Sequence, residues 1–418
     1  MSGIKSILLL LSMTLQCVAC KKENVQLPPT DSRPRGKQAE IEKNQLPILE
    51  NVTASKNGTR LTITFDIQDD NDFVSISIAG WNEANDTWTD ISSSSNGDIG
   101  NQVGVGKEKS IDINDLKNYT KLELKATDSH VIDKREILKF ISKDRIEEDV
   151  RKMSGVRSHQ NPTLLNKTRE FIASEFNSYE LETSRHSFKH GSSNVENVIG
   201  HLKGTKYPES RYLICAHFDT VNTTPGADDN ASGTAGVLEA MRVLSQFQFE
   251  YSIDFLAFDL EEFGLVGSRR YVKDIASGQD IKGVFNFEMI GYPCRSHECQ
   301  HLDGETSIYN IAVPESGELQ AEFNFQGSEY VSDLEIHSVE ADGDFNYRRS
   351  DHAPFWAAGF QALFLTDGAN FRNPHYHQGS DTPETLDYEF AANIVRTTVL
   401  TIMELAREDR STSIEIKL

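Results

Sequence analysis

The sequence predicts two folded regions: a small β-sandwich and, after it, an α/β domain with a helix-flanked, largely parallel central sheet. Between residues 46 and 141, short runs of alternating apolar and polar residues are separated by turn-rich segments, which is typical of half-buried antiparallel strands. From residue 142, uninterrupted apolar runs such as RYLICAHFD and SIDFLAFD alternate with segments of helical spacing. Strands without polar alternation are covered on both faces, which favours a parallel sheet between two helix layers.

The β-sandwich prediction rests on four runs of alternating polarity. These runs are LTITFDI, FVSISIAGW, YTKLELKATD and EILKFI. Turn-rich segments such as DDND and SSSSNGD separate them, as expected of short antiparallel strands. This stretch of sequence has no cluster of His, Cys and acidic residues at ligand spacing. We therefore expect an immunoglobulin-like module at residues 46–141 that acts as a spacer or binds protein or carbohydrate.

The second region, residues 142–418, is predicted to begin with two helices. Ile146, Val150 and Met153 recur at helical spacing, and a second helix is expected from Leu164 to Phe176. The strands expected after them are NVIGHL, RYLICAHFD, SIDFLAFD, KGVFNFEMI and QALFLTD, with helices between them and a closing helix at residues 387–406. In parallel sheets, functional sites gather at the carboxyl ends of the strands, so acids and histidines at those ends are the candidate functional groups.

Composition and the first residues bear on partners and location. With 42 basic and 64 acidic residues the net charge is -22, which would repel nucleic acid and anionic membrane surfaces. Residues 1–20 combine a lysine, a short apolar run and small residues before Cys20, which predicts a signal peptide. Because VAC resembles a bacterial lipobox, we expect an exported, membrane-anchored lipoprotein that is periplasmic or on the cell surface, with plain secretion as the alternative. Residues 21–45 are polar and contain three prolines, so they are expected to form a flexible tether.

Three cysteines follow residue 20. Cys215 lies in an apolar run and is predicted to be a buried thiol. Cys294 and Cys299, in CRSHEC, favour a loop disulfide in an oxidising compartment, and a metal-binding pair is the alternative.

Histidine and carboxylate residues follow the predicted strands at several places. His217 and Asp219 end RYLICAHFD with a spacing of two, which suits a metal-binding imidazole oriented by its own carboxylate. A hydrogen-bonded histidine at a strand end is the alternative interpretation. Asp228 and Asp229 follow in the loop PGADDNASG, where on their own they would fit turn and helix-capping chemistry.

The remaining candidates follow the next strands. Glu261 and Glu262 end SIDFLAFDL and point different ways, so one can bind a metal while its neighbour faces the substrate. Glu288 ends a third apolar run, and His377 lies in YHQGSDT after QALFLTD. Mixed imidazole and carboxylate ligands suit zinc or a similar divalent ion. One catalytic zinc needs about three protein ligands, so this larger set with one bridging carboxylate predicts two ions.

The motifs HFD, PGADDNASG, EEFGLVGS, NFEMIG and YHQGSDT, in this order, resemble those of the M28 family of metallo-aminopeptidases, of the aminopeptidase Y and leucyl aminopeptidase type. The resemblance covers residues 142–418 and leaves out the β-rich region. It implies a zinc-exopeptidase-like fold with two divalent metal ions, most simply zinc. The roles that it implies are one metal site of His217 and Glu288, a second of Glu262 and His377, Asp229 as the bridge, Glu261 as the general base and Tyr376 as an oxyanion stabiliser.

The implied reaction is the release of N-terminal residues from peptides. A water shared by the two ions attacks the peptide carbonyl, and Glu261 takes the proton of that water. An acidic site suits the free α-amino group, whereas a carboxypeptidase, which stays an alternative, would need a basic clamp that Arg349 and Arg372 could supply. A single-zinc glutaminyl cyclase on the same fold and a non-enzymatic binding lipoprotein are two further candidate functions. Asp228 is the alternative candidate for the bridging position.

Overall fold

The structure is a computed structural model that describes residues 47–69, 73–114, 116, 119–128, 133–160, 162–293, 307–407 and 411–418. The predicted signal peptide, Cys20 and the predicted tether lie outside the described residues, and so do Cys294 and Cys299. Among the helices of the described residues, none has the length and apolar character needed to span a bilayer.

The β-rich region consists of antiparallel strands. They are β1 (Ile48–Asn57), β2 (Arg60–Gln68), β3 (Phe73–Asn82), β4 (Thr87–Asp90), β5 (Ser95–Gly97), β6 (Gly100–Gly104), β7 (Gly106–Ile113) and β8 (Lys121–Asp128). One sheet has the order β1-β2-β7-β5, and a second places β8, β3 and β4 side by side, with β6 also paired to β3. In β2, Leu61, Ile63 and Phe65 are buried and the residues between them are more exposed, which confirms the predicted period of two. The immunoglobulin-like type and the role of this region stay predictions.

The rest of the described chain alternates between strands and helices. The strands are β9 (Glu182–His190), β10 (Ser193–Leu202), β11 (Tyr207–His217), β12 (Tyr251–Phe258), β13 (Asp280–Glu288), β14 (Ser307–Ala312), β15 (Glu335–Glu340), β16 (Ala362–Thr366) and β17 (Ser411–Lys417). The helices are α1 (Lys134–Leu138), α2 (Lys143–Met153), α3 (Pro162–Ser178), α4 (Gly233–Leu244), α5 (Val266–Asp274), α6 (Gly317–Tyr330), α7 (His352–Ala357) and α8 (Tyr388–Leu405).

An eight-stranded sheet forms the centre of the α/β region, in the order β15-β14-β16-β13-β11-β12-β10-β9. The four central strands, β16, β13, β11 and β12, run parallel to one another. Antiparallel pairs occur outside this centre, between β14 and β16 and between β12, β10 and β9. The predicted α/β class is therefore confirmed, with the parallel pairing concentrated in the middle of the sheet.

Side chains of the central strands alternate between two helix layers. In β11, Ile214 and Ala216 belong to a core that also contains residues of α2, α3, α4, α6 and α8. Leu213 and Cys215 of the same strand belong to a core with residues of α5 and α7. Burial on both faces explains why this run has no polar alternation. Cys215 is a buried free thiol, as predicted.

The segment EILKFI, predicted as a strand, forms α1 and the turn after it. The carboxylate of Asp133 accepts a hydrogen bond from the Arg135 amide and caps the helix. Ile137 and Ile141, four residues apart, are buried in the α/β core. The strand prediction is wrong because the helical spacing of these isoleucines outweighs their preference for strands.

The last strand returns to the β-rich region. β17 pairs antiparallel with β8, from Ser411 opposite Thr127 to Lys417 opposite Lys121. Ile414 and Ile416 of β17 pack against the sandwich core. By its place in the sequence this strand falls in the second region, whereas its backbone partners belong to the first. The boundaries between the predicted domains stay predictions.

Candidate metal centre

The candidate site lies where the central parallel strands end. His217 is the last residue of β11 and Glu288 is the last residue of β13. Glu261 and Glu262 follow the end of β12 closely, and His377 lies in the loop after β16. The structure thus brings these predicted residues to the carboxyl edge of the sheet, where ligands of such sheets bind.

The ligating atoms form two groups that share Asp229. His217 Nε2 lies 3.5 Å from Asp229 Oδ1 and 3.3 Å from Glu288 Oε2. His377 Nε2 lies 3.1 Å from Asp229 Oδ2 and 3.2 Å from Glu262 Oε2. Two donors bound to one tetrahedral zinc at its usual bond lengths lie about 3.3 Å apart, so both groups have suitable spacing. Asp229 presents one oxygen to each group, which is the geometry of a bridging ligand.

The electrostatics of the two groups also fit cations. Burial lowers the pKa of His217, but the carboxylates of Glu288 and Glu261 outweigh burial and raise that pKa well above its usual value. Burial and the nearby Asp229 raise the pKa of Glu262 to about 7. His377 is less buried, and hydrogen bonds with Asp229 and Glu262 overcome desolvation to raise its pKa to about 10. Crowded carboxylates are stabilised by bound cations, so these residues fit divalent ions of the zinc type.

Asp219 connects the end of β11 to the turn that carries the paired glutamates. Its carboxylate accepts hydrogen bonds from the amides of Glu261 at 3.0 Å and Glu262 at 3.3 Å. One of its oxygens is also 3.5 Å from Nδ1 of His217. Asp219 is therefore placed to orient the imidazole, and its hydrogen bonds fix the glutamate turn. Its role behind a metal ligand stays a prediction.

The loop before α4 gives Asp228 and Asp229 different surroundings. The Gly291 amide and Asn373 Nδ2 donate to the carboxylate of Asp228 at 2.9 and 2.6 Å, so hydrogen bonds away from the two ligand groups hold this side chain. The amides of Asp228 and Asp229 donate to the carboxylate of Asp381 at 2.8 and 3.2 Å. The geometry therefore favours Asp229 over Asp228 for the bridging position.

Arg157 and Gly226 shape the same loop. Arg157 is fully buried, and its guanidinium donates to the carbonyl oxygens of Phe218 and Gly226, both at 2.7 Å. Desolvation lowers the pKa of Arg157 to about 10, so the group stays charged at neutral pH. Gly226 has φ of +60°, and a Cβ there would lie 2.3 Å from the carbonyl oxygen of Asp229. Sequence reasoning missed Arg157, because nothing near it in the chain marks its partners.

Glu261 lies beside the two ligand groups and belongs to neither. Its Oε2 is 3.9 Å from Nε2 of His217, and only 8% of the residue is exposed. Burial is the main cause that raises its pKa well above the usual value, with Glu288 adding to the shift. A buried carboxyl group with a raised pKa beside candidate metal ligands suits proton transfer.

Tyr376 is placed next to the second ligand group. Its ring stacks on the imidazole of His377, with centroids 3.8 Å apart. Arg349 Nη2 donates a hydrogen bond to the phenol oxygen at 3.1 Å, so the phenol O–H itself is available for another acceptor. Burial raises the pKa of Tyr376, so the phenol is protonated at neutral pH. A substrate oxygen at the metal centre would be a suitable acceptor.

Sequence reasoning missed Ser350 and Asp351. Ser350 Oγ donates to Glu288 Oε2 at 2.5 Å and accepts from Asn286 Nδ2 at 2.8 Å. Asp351 is fully buried, and desolvation raises its pKa to about 7. The run RSDH before an apolar helix was a possible signal, but Ser and Asp in that position are also ordinary helix-capping residues.

Fold and site together define a class of protein: an α/β protein with two groups of candidate metal-ligating side chains at the carboxyl edge of its sheet. Residues 197–402 match the family described as Peptidase family M28. This part of the chain therefore belongs to peptidase family M28, which confirms the resemblance carried by the motifs. The β-rich strands β1 to β8 precede the matched segment.

Several curated proteins are similar to the chain. The uncharacterised protein YfbL of Escherichia coli is 27% identical over 282 residues, which cover 61% of this chain and 85% of YfbL. Aminopeptidase YwaD of Bacillus subtilis is 33% identical over 46% of this chain and 41% of its own length. Leucine aminopeptidase 2 of Trichophyton rubrum is 34% identical over 31% of this chain, and the match spans 26% of that enzyme. The chain thus spans less than half of the length of these two aminopeptidases.

Solved structures share the fold. LapA aminopeptidase of Legionella pneumophila has a TM-score of 0.56 at 24% identity, covering 66% of this chain and 75% of LapA. BSAP, a zinc aminopeptidase of Bacillus subtilis, has a TM-score of 0.53 at 15% identity, covering 65% and 96%. A glutaminyl cyclase of Porphyromonas gingivalis has a TM-score of 0.51 at 16% identity, covering 63% and 99%. At these identities the likeness concerns the fold alone.

Proposed function

We propose that this protein is a metallo-aminopeptidase that releases N-terminal residues from peptides and uses two divalent ions, with zinc as the expected metal. The observation that carries the proposal is the pair of ligand groups that share Asp229, with Glu261 beside them. The family match and the aminopeptidases among the relatives and structural neighbours support the same activity.

The side chains around the metal centre have separate tasks in this proposal. Divalent ions held by the two groups would acidify a water molecule and polarise the scissile carbonyl. Glu261 accepts the proton of the attacking water on its carboxylate and passes that proton to the leaving nitrogen. Tyr376 donates its O–H to the carbonyl oxygen as negative charge develops there. Asp219 accepts hydrogen bonds from the backbone amides of Glu261 and Glu262 and so holds their turn, while Ser350 donates to the carboxylate of Glu288.

Local charge favours the amino end of the peptide over the carboxyl end. The buried carboxylates suit an α-ammonium group, whereas a carboxypeptidase needs a basic clamp for the terminal carboxylate. Arg372, one of the two arginines that could form that clamp by sequence, is fully buried and donates to the carbonyl oxygen and Oγ of Ser307. The guanidinium of Arg372 is therefore not available to a substrate, and of these two arginines only Arg349 could face one.

Glutaminyl cyclase is the second candidate, because cyclase structures share the fold. A single-zinc enzyme needs only one ligand group, so the two groups sharing Asp229 favour the peptidase. A non-enzymatic binding lipoprotein would need neither group. Zinc content near two per chain, with hydrolysis of aminoacyl amides but not of their N-acylated forms, would support the aminopeptidase. One zinc per chain with cyclisation of N-terminal glutamine would instead support the cyclase.

The neighbouring glutamates test the mechanism. Replacing Glu261 with Gln should lower kcat by ~10² to 10⁴, because the base is lost, while metal content stays at the wild-type level. Glu262→Gln should lower metal content and activity together, and added metal should restore part of the rate. Kinetics and metal analysis on the same preparations measure both effects. The reverse pattern would exchange the two assignments, and intact hydrolysis in both variants would refute the mechanism.

We also propose that the protein is exported and attached to a membrane through lipid on Cys20. The support is the apolar run that ends in VAC at residues 18–20. Cys20→Ser should move the protein from the membrane fraction to the soluble fraction, as followed by fractionation and immunoblotting. Unchanged membrane retention of this variant would contradict lipid attachment.

A further inference from the structure

A cavity of about 290 Å³ opens beside the candidate metal centre. Its wall includes Glu288 of the first ligand group and Tyr376, which stacks on His377 of the second. Many of the remaining lining side chains are apolar or aromatic, among them Ile311, Val339, Phe364 and Phe371. A cavity of this size and lining, next to the reacting groups, suits part of a substrate.

Among the described residues that line this cavity, Arg349 is the one that carries a positive charge. Arg349 is half-buried and donates to Asn370 Oδ1 at 2.8 Å and to the phenol oxygen of Tyr376 at 3.1 Å. Both acceptors are neutral. Within the part of the chain that the structure describes, no carboxylate oxygen lies within 4.0 Å of this guanidinium. A guanidinium carries five N–H donors in a planar fork, so most of the donors of Arg349 remain for a ligand.

The acidic side chains that line the same cavity bond to groups other than Arg349. Glu288 belongs to a ligand group and accepts a hydrogen bond from Ser350. Asp344 is exposed to solvent, and its carboxylate accepts from the Asn346 amide at 2.9 Å. Two divalent ions at the metal centre would offset part of the negative charge of the nearest carboxylates, which are those of Asp229, Glu261, Glu262 and Glu288. Arg349 then gives the cavity wall a positive charge.

We propose that Arg349 binds a carboxylate of the substrate in this cavity and makes the enzyme selective for peptides that carry one there. This inference rests on the proposed peptidase function and adds the substrate class to it. The carboxylate has two possible sources: the side chain of an N-terminal Glu or Asp, or the free C-terminus of a very short peptide. In either case the fork of Arg349 forms charge-assisted hydrogen bonds that a neutral amide cannot replace.

Binding to three matched peptides separates these sources. Glu-Gly-amide carries only a side-chain carboxylate, Gln-Gly carries only a terminal carboxylate, and Gln-Gly-amide carries neither. Dissociation constants are measured by calorimetry on the zinc-loaded full chain with Glu261→Gln, so that the peptides are not consumed. Hydrolysis of the same peptides by the unsubstituted protein is measured separately, and failure of that reaction counts against the peptidase function alone.

One of the two carboxylate peptides should bind roughly 10- to 100-fold more tightly than Gln-Gly-amide. Adding Arg349→Gln should reduce this preference to less than about threefold, and Arg349→Lys should keep part of it, since the charge remains without the fork. Arg348→Gln is the matched control, because Arg348 is exposed and lies over the Trp356 ring; it should leave the preference unchanged. Equal affinity for all three peptides before any Arg349 substitution, or an equal loss for all three in Arg349→Gln, would overturn the proposal.

Discussion

At the scale of single residues, the hydrogen bonds that orient the candidate metal ligands are as well defined in the structure as the ligands themselves. Ser350 is the best example, because its Oγ donates to Glu288 and accepts from Asn286. This arrangement fixes one carboxylate of the first ligand group in the direction of His217. Groups that orient a ligand in this way commonly contribute a factor of about 10 to 100 to metal affinity.

Ser350→Ala should therefore weaken zinc binding by roughly 10- to 100-fold, with one of two bound ions lost first. Competition with a chelator of known affinity, followed by metal analysis, measures the change. Ser252→Ala is a suitable control, since Ser252 is also buried but its hydroxyl accepts from the Gly204 amide and donates to the Pro208 carbonyl oxygen, not to a candidate ligand. Zinc affinity at the wild-type level in Ser350→Ala would show that Glu288 needs no such support.

Several of the candidate site residues could be predicted from the sequence because they end apolar strands. His217, Glu261 and Glu288 follow runs whose burial is visible in the letters, and strand ends of a parallel sheet meet at one edge. Ser350 could not be predicted, because its partner Glu288 lies far away in the chain and its own sequence surroundings fit helix capping. Arg157 could not be predicted, because nothing near it in the chain marks the distant carbonyl oxygens of Phe218 and Gly226 as its acceptors. The roles assigned to Glu261 and Tyr376 still rest on the resemblance and on the geometry together.

At the scale of elements, the same distinction separates central from peripheral strands. β11, β12 and β13 are buried on both faces and were recognisable as apolar runs. β9 and β15 lie at the edges of the sheet and mix exposed polar residues with few apolar ones, so their sequences resemble loops. The sequence of β17 alternates between apolar and polar residues, but no local feature indicates that its partner is β8, which lies nearly 300 residues earlier in the chain. Pairing over such separations depends on the whole fold.

At the scale of the whole molecule, the candidate metal centre is a cluster of buried acidic side chains. Burial raises the pKa of Glu262 and that of Asp351 to about 7, and it raises the pKa of Glu261 well above its usual value. Hydrogen bonds with Asp229 and Glu262 overcome desolvation and raise the pKa of His377 to about 10. All of these groups hold protons in the folded metal-free chain at pH values where the unfolded chain has released them.

Raised pKa values of acids and of histidines act on stability in the same direction. An acid whose folded pKa is raised opposes folding increasingly as the pH rises from the unfolded value of about 4 to the folded value of about 7. A histidine whose folded pKa is raised contributes stability below about pH 6.5 that is lost as the pH rises towards its folded pKa. Both effects make the metal-free protein less stable as the pH rises from about 5 to about 8, with a slope of up to ~1.4 kcal/mol per pH unit for each proton.

Bound zinc favours the deprotonated forms of the same groups, so its stabilising effect should grow over that range. We expect the difference in unfolding temperature between zinc-loaded and chelator-treated protein to be larger at about pH 8 than at about pH 5.5. Calorimetric scans at both pH values, with and without chelator, give this difference directly. Glu262→Gln removes one of the titrating groups from the second ligand group, so the metal-free variant should lose less stability with rising pH than the metal-free wild type. A zinc effect that stays constant or shrinks at the higher pH would show that these carboxylates and imidazoles do not hold the metal.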